Sequence, residues 1–489
     1  MPRTRFPGFV GPSYRSQSVN ADCQMTMNWY PEQIESGDGA SPIVLYPTPG
    51  LKLFCDLSNG VAPTTRGLFS INGRQFGACG VEFSEMSSAG VKTVQGNILN
   101  DTSLCSFASS PQQLLFSSAG TAYVFDLVAN TLNALPANTF SGPVSLVGYS
   151  DGFFLALIAD TGKFYVSSVL NATDWTTNGA GLVSIFPDTV ISMLVDHREI
   201  WFFSATKTAV YFNSGGAFPF TPVPGGFIEQ GTAAKLSPAR LDNTIFWLGS
   251  DDRGKGIVWR ASGYTPQRVS NHAVEFAIQS YKQISDATGF AYQDQGHNFY
   301  VLYFPTADKT WCYDVNTQLW HERGYWQSNI GQFSAARYRC HNFNPTFGKH
   351  LVGDWKTGKV YDMSINYLDD AGNAIRRVRR APHVAKDRNW VFHKELEPYF
   401  ETGLGPQPPL LDGDGNPRDP QAMLRFSNDA GHTWSNELVR DCGQAGQFKK
   451  RAMFRRLGRA RDRVYEISVT DPIPWRLVDA FIDVEVGIS

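Results

Sequence analysis

The chain of 489 residues has no long apolar run. The longest, Phe153–Ala159, is far too short to cross a bilayer as a helix. The opening segment Met1-Pro-Arg-Thr-Arg-Phe-Pro-Gly8 has no apolar core of signal-peptide length. A soluble protein is expected, with no cleaved signal in its route. An excess of one charge is also missing. Lys and Arg number 43 against 45 Asp and Glu, a net of −2, so the whole chain is not drawn to nucleic acid or anionic membrane. The cysteines Cys23, Cys55, Cys79, Cys105, Cys312, Cys340 and Cys442 are odd in number, far apart and without a Cys-x-x-Cys pair. That pattern argues against a disulfide framework or a zinc site and predicts buried thiols made in a reducing cytoplasm. Catalytic signatures are missing too: no Gly-x-Ser-x-Gly elbow, no P-loop and no His-Glu-x-x-His. No enzyme activity, metal or cofactor is expected. Carboxylate pairs for glycoside cleavage lie far apart in sequence, and nothing selects one here.

Helical spacing at i, i+3, i+4 is rare. What recurs is a hairpin: a buried apolar strand, a polar Gly-rich turn, then a strand carrying an aromatic. The clearest copy is Asn243-Thr-Ile-Phe-Trp-Leu-Gly-Ser250, a turn through Gly256, and Ile257-Val-Trp-Arg-Ala261. Aligned copies place the aromatic at Phe83, Phe125, Tyr165, Tyr211, Trp259, Tyr313 and Tyr361, spaced by 42, 40, 46, 48, 54 and 48 residues. A period of roughly 40–50 residues with several strands per period is the mark of propeller blades. The expected fold is all-β: a six- or seven-bladed β-propeller with an additional β-rich platform domain. Blade count stays open, because strands of the N-terminal arm can complete the last copy.

Three regions are expected. Residues 1–65 form an arm with outer strands, since eight prolines deny it long helices and Ile43–Tyr46 and Leu51–Cys55 read as short strands. Residues 66–365 hold the propeller repeats, beginning with an Asn72-Gly73 hairpin turn. Residues 366–489 form a C-terminal β-rich platform, with strands at Met423–Phe426, Val464–Val469 and Ala480–Val486. Two insertions interrupt the repeats. Ser214–Gly226 is apolar but punctuated by Gly and Pro, so it reads as a loop that packs within the chain or waits for a partner. Arg323–Phe347 lengthens one connection between blades.

Candidate contact residues follow from charge and exposed apolar character. They are Phe218 and Phe220 in the first insertion, Arg376, Arg377, Arg379 and Arg380 at the start of the platform, and Arg455 and Arg456 in the run Lys449–Arg463. That run reads either as phosphate contacts or as a solvated face whose arginines bond nearby carboxylates. Asp412-Gly-Asp-Gly-Asn416 begins like a calcium loop. It then has Pro417 in place of the turn Gly and Met423 in place of the bidentate Glu, so it reads as a linker turn. Ser427-Asn-Asp-Ala-Gly-His-Thr-Trp434 matches the Asp-box pattern. There Asp429 bonds turn amides, Gly431 supplies a positive φ and Trp434 packs beneath. It leaves open a second reading, a glycan-binding or sialidase-like β-propeller.

Two stretches carry a resemblance. One is Ser16-Gln-Ser-Val-Asn-Ala-Asp-Cys-Gln24 followed by Asn28-Trp-Tyr-Pro-Glu32. The other runs from Arg425 through Trp434 and Phe454-Arg-Arg-Leu-Gly-Arg-Ala-Arg-Asp-Arg-Val464 to Val469-Thr-Asp-Pro472. With the repeats between them, the chain resembles the packaged-DNA stabilisation, or tail nozzle (tail hub), proteins of short-tailed bacteriophages. The resemblance implies a structural virion protein in which six copies ring the genome's exit channel below a head-to-tail adaptor. It implies that the ring closes the portal channel, retains packaged DNA and conducts it on ejection. It further implies contacts with tail fibres or tailspikes, a tail needle or plug and the passing genomic DNA, and assembly in the host cytoplasm. The family has no catalytic residues to carry over.

Overall fold

The computed structural model describes every residue except 1–2, 37–38, 59–63, 186–187, 252–253, 327–334, 407 and 488–489. Strands dominate, and the one α-helix among the described residues is His272–Gln279, capped by the Asn271 side chain. The repeats close into seven antiparallel sheets around an axis. The first strands of the blades are Thr65–Ile71, Ser106–Ser109, Val144–Ser150, Val190–Asp196, the pair Gly231–Thr232 and Ala239–Leu241, Thr288–Asp294 and Cys340–Thr346. The aromatic series falls on the third strand of every blade, from Glu82–Met86 in blade 1 to Lys359–Ser364 in blade 7.

The second strands are near-continuous apolar runs, as in Phe153–Ile158 and Glu199–Ser204, because both of their faces are covered. Each blade packs on the next, so every interior is shared between two sheets. Seven apolar clusters fill the seven gaps. Between blades 1 and 2, Phe76, Phe83, Phe116 and Phe125 pack with ring centroids 4.7–5.5 Å apart. Five of the seven series aromatics are buried, but Tyr165 and Trp259 are half-buried. Trp259 lies over Gly249 of the neighbouring strand, where any Cβ would strike its indole ring.

Two-residue turns with both φ positive link first to second strands in six blades. They are Asn72-Gly73, Asp151-Gly152, His197-Arg198, Asp242-Asn243, Gln295-Gly296 and Phe347-Gly348. This geometry matches the strand twist and fixes the register. The Asn72-Gly73 hairpin therefore joins strands one and two, whereas the other hairpins read from sequence join strands two and three. Half of the predicted loop Ser214–Gly226 is strand: Phe220–Ile228 is the outer edge of blade 4. Its prolines are tolerated because an edge strand can spare donors. The insertion Arg323–Phe347 holds a small hairpin, Gly324–Trp326 with Ala335–Arg337, and its stretch 327–334 lies outside the described residues.

Residues 1–65 have two destinations. Gly50–Asp56 is the outer strand of blade 7, with Cys55 opposite Val360 and Gly50 opposite Ser364. The seventh blade thus takes three strands from the end of the repeats and one from before their start, which closes the ring. The segment's strands Cys23–Met27, Trp29–Gln33 and Ile43–Pro47 join a β-sandwich. One sheet contains Trp29–Gln33, Ile43–Pro47, Leu477–Val486, Val391–Phe400 and Phe454–Arg455. The other contains Cys23–Met27, Arg377–Arg380, Asp462–Val469, Gln421–Ser427 and Leu438–Asp441. Between them lies a core in which Phe6, Phe9, Trp29 and Leu45 meet Leu396, Tyr465, Trp475 and Ile482. The second sheet continues into blade 6 through one parallel bridge, Met27 to Glu322. All seven cysteines are buried and free.

Candidate functional site at the propeller–sandwich junction

The last strand of blade 6, the strand Cys23–Met27 and the strand Arg377–Arg380 meet at one place. Asn28 pins them. Its backbone takes φ 58°, and its side-chain amide donates to the carbonyls of Gly324 (2.9 Å) and Arg376 (2.8 Å). Its Oδ1 accepts the Gly324 N–H at 2.9 Å. One side chain thus ties the exit of blade 6 to the entrance of the sandwich.

Four of the six arginines predicted as contacts, Arg376, Arg377, Arg379 and Arg380, sit here and face inward. Arg379 is fully buried, without a carboxylate partner among the described residues. Its guanidinium donates to the carbonyls of Phe9 (2.5 Å), Pro12 (2.8 Å) and Gly8 (2.9 Å), to Thr26 Oγ1 (3.0 Å) and to Gln24. Arginine suits this place because its planar fork carries five donors. Burial pushes its pKa below the ordinary value. Arg376 donates to Glu437 (2.5 Å) and Ser468 (3.0 Å) and lies over the Trp326 ring. Arg377 is fully buried, and its guanidinium has no hydrogen-bond partner among the described residues. Burial lowers its pKa, and the nearby Asp370 opposes that shift.

Arg380 and Arg425 share the buried carboxylate of Glu466, with Nε distances of 3.0 and 2.6 Å. Both guanidiniums also cover the Trp434 ring, 4.8 and 4.6 Å from its centroid. The Asp-box places that ring. Asp429 accepts from Ser427 Oγ (2.6 Å), Thr433 N (2.8 Å) and Thr433 Oγ1 (2.6 Å). These bonds hold its carboxyl well below the usual range. Gly431 takes φ 94°, and its carbonyl accepts the indole N–H at 3.1 Å. The turn therefore sits in the sandwich and serves the junction. The sequence reading missed a related indole bond in blade 3, Trp175 Nε1 to the Ala172 carbonyl at 2.7 Å. Its signal was the pair Asp174-Trp175.

Beside these arginines, between blade 6, the helix and the sandwich, is a cleft of about 470 Å³. Trp311, Tyr281 and the exposed Phe276 give it aromatic walls. Arg15 and Lys309 bring cations that make no ion pair among the described residues. Glu322 lies at the same wall, its carboxyl raised by burial, with the Ser13 hydroxyl 3.4 Å away.

The remaining candidates lie elsewhere. Phe220 is buried between blades 3 and 4 against Phe153, and the half-buried Phe218 packs on Phe164. Phe220 is therefore a core residue with no surface for a partner, because the outer strand of blade 4 turns it inward. Arg455 is exposed and bonded to Glu395 (2.8 Å), and Arg456 is exposed with φ 59°. In the run Lys449–Arg463, Arg451 bonds Glu397, and Arg459 and Arg461 cover Trp390 at 4.6 and 5.1 Å. Arg463 is buried instead, and donates to the Leu457 carbonyl and Asn428. The Asp412 segment is a turn in which Asp412 accepts the N–H groups of Asp414 and Asn416.

This closed propeller, joined to a β-sandwich by the Met27–Glu322 bridge, by Asn28 and by the Arg376–Trp326 contact, defines a protein of the propeller–sandwich class. The family model described as "Bacteriophage P22 Gp10, beta-propeller" matches residues 13–367, and "Bacteriophage P22 Gp10, beta-sandwich" matches residues 376–485. The chain belongs to this family of phage tail-nozzle, packaged-DNA-stabilisation proteins, and is a structural component of a virion tail. No curated protein matches it in sequence. Among solved structures, the N-terminal domain of Nup159 is similar at 11% identity and TM-score 0.42, over 70% of this chain and 98% of that one. The computationally designed Ika8 protein is similar at 12% identity and TM-score 0.40, over 73% and 98%. No helix among the described residues is long and apolar enough to cross a membrane.

Proposed function

We propose that this chain is the nozzle subunit itself. Six copies ring the channel below the head-to-tail adaptor, close the portal, retain packaged DNA and conduct it on ejection. The ring meets tail fibres or tailspikes and a needle or plug, and assembles in the host cytoplasm. The observation that carries this reading is the family match over both halves of the chain in order. The junction supports it: Asn28 ties blade 6 to the sandwich, Arg376 spans from the Trp326 ring to Glu437, and Arg379 and Arg380 are spent on bonds within the sandwich and its N-terminal segment. Contacts between subunits fall to the exposed face of the sandwich, where Arg455 and Arg456 flank the exposed Phe392. Arginine beside an exposed aromatic is the composition that protein interfaces favour. A near-neutral chain suits a DNA exit, since a strongly basic lumen would retain DNA by counterion release.

Native mass spectrometry of the protein, alone and with its adaptor ring, tests the proposal. A six-copy ring formed on the adaptor is the expected result. A chain that ignores the adaptor would overturn it.

A further inference from the structure

Away from the junction, the propeller encloses a second cavity. The first strands of the seven blades surround a channel, and residues from every blade line a space of about 470 Å³ within it. Stacked phenylalanines form part of the wall. Phe69 lies 5.7 Å from Phe107 with planes 18° apart, and Phe290 lies 6.3 Å from Phe343 at 16°.

The charge of this space is one-sided. Lys235 and Arg240 line it, and no Asp or Glu does among the described residues. Neither cation makes an ion pair among the described residues. Lys235 is held in place by its backbone: its carbonyl accepts from Ser192 Oγ at 2.6 Å, and the next carbonyl, Leu236, accepts from Gly289 N at 2.7 Å. Burial lowers the pKa of its ammonium, and Asp101 and Asp160 only partly oppose that. Asp101 is already engaged by Arg66 at 3.1 Å. On the same wall Thr288 is buried, and its hydroxyl has no hydrogen-bond partner among the described residues. A half-buried cation without a counter-charge, among apolar rings, is costly unless an anion joins it. Arg380, by contrast, has its counter-charge built in as Glu466.

We propose that the propeller channel binds a small organic carboxylate, with Lys235 meeting the carboxylate and the Phe69–Phe107 and Phe290–Phe343 pairs enclosing an apolar body. Arg240, at the exposed part of the wall, adds long-range attraction. Specificity comes from the pairing of charge and rings: a neutral body of the same shape strands the ammonium, and a cation repels it.

Three probes with one body test this on the full chain by isothermal titration calorimetry: 4-phenylbutyrate, 4-phenylbutanol and 4-phenylbutylamine. The carboxylate is expected to bind one per chain, about tenfold or more tighter than the alcohol, with the amine weakest. Lys235→Met should abolish the preference of carboxylate over alcohol, and Lys235→Arg should keep it. Arg240→Gln, at an exposed position, should weaken the carboxylate by about threefold and guard against a misfolded Lys235 variant. Equal binding of all three probes, no saturable binding at millimolar concentration, or a preference that survives Lys235→Met would each overturn the proposal.

Discussion

The blades and the junction are held together in opposite ways. The gaps between blades are filled by aromatic and aliphatic side chains from hairpins close in sequence, as in the Phe76–Phe83–Phe116–Phe125 group. The sandwich side of the junction is held by buried guanidiniums reaching groups far away in sequence, as Arg379 reaches Phe9. Apolar packing is non-directional and tolerates small shifts, so it suits seven repeats that differ in sequence. Hydrogen bonds from a buried arginine are directional, and each lost partner leaves a desolvated polar group. They suit a place where three chain segments must meet in one geometry.

Deleting residues 1–56 should give the largest effect, because it strikes both kinds of construction. It removes the outer strand of blade 7 and the Phe6, Phe9, Trp29 and Leu45 part of the sandwich core. The product is expected to lose cooperative urea unfolding; a retained sharp transition would mean that the ring closes without this strand. Arg379→Met attacks the junction alone. It strands three carbonyls and two side-chain acceptors, and should cost about 4 kcal/mol in urea unfolding. A loss below about 1 kcal/mol would place the arm's attachment in its apolar contacts instead.

Within the blades, Phe125→Ala should cost about 3–5 kcal/mol, because the side chain is fully buried against the Phe76 and Phe83 rings. Trp259→Ala should cost about 1–2 kcal/mol, since its ring is half-buried over Gly249. Equal losses for the two would show that blade interiors and blade surfaces contribute alike.

The smallest effect concerns pH and has opposite sign in the two regions. At the junction, the hydrogen bond that the His383 ring donates to the Asp462 carboxylate raises its pKa to about 10. Its stabilisation is full below the unfolded value of about 6.5 and is lost as pH rises through about 10. In the propeller, burial lowers His341 to about 4. A histidine kept neutral by the fold stabilises above about 6.5, and that contribution is lost as pH falls toward 4. His383→Gln should therefore flatten the alkaline side of a plot of urea midpoint against pH, and His341→Gln the acid side. A variant that flattens the other side would reverse the assignment of charged and neutral forms.

The propeller was legible because its signal is local. A hairpin brings residues ten apart into register, so the third-strand aromatics declared the period although Tyr165 and Trp259 turned out half-buried. Turns such as His197-Arg198 and Asp242-Asn243 were harder to see, because non-glycine residues hold positive φ there. In the Asp-box turn the Asp429 bond to a turn amide and the positive φ of Gly431 were legible, again because they lie within eight residues, whereas the hydroxyl and indole bonds were not read. The junction was not. Arg376-Arg-Val-Arg-Arg380 reads as a charged surface until the carbonyls of residues 8, 9 and 12 are placed beside it. Phe220 looked available to a partner for the same reason, since its cover, Phe153, lies in another blade.

By itself, then, the sequence determined the all-β character, the repeat period and the turn chemistry, because each depends on residues within one hairpin. Only the tertiary structure decided that the count is seven, that the N-terminal segment closes blade 7 and completes the sandwich, and that the arginine cluster is internal. Those outcomes depend on pairings across more than 300 residues, such as Cys55 with Val360. No local preference encodes such pairings, and they are chosen only when burial and hydrogen bonding are satisfied over the whole chain at once.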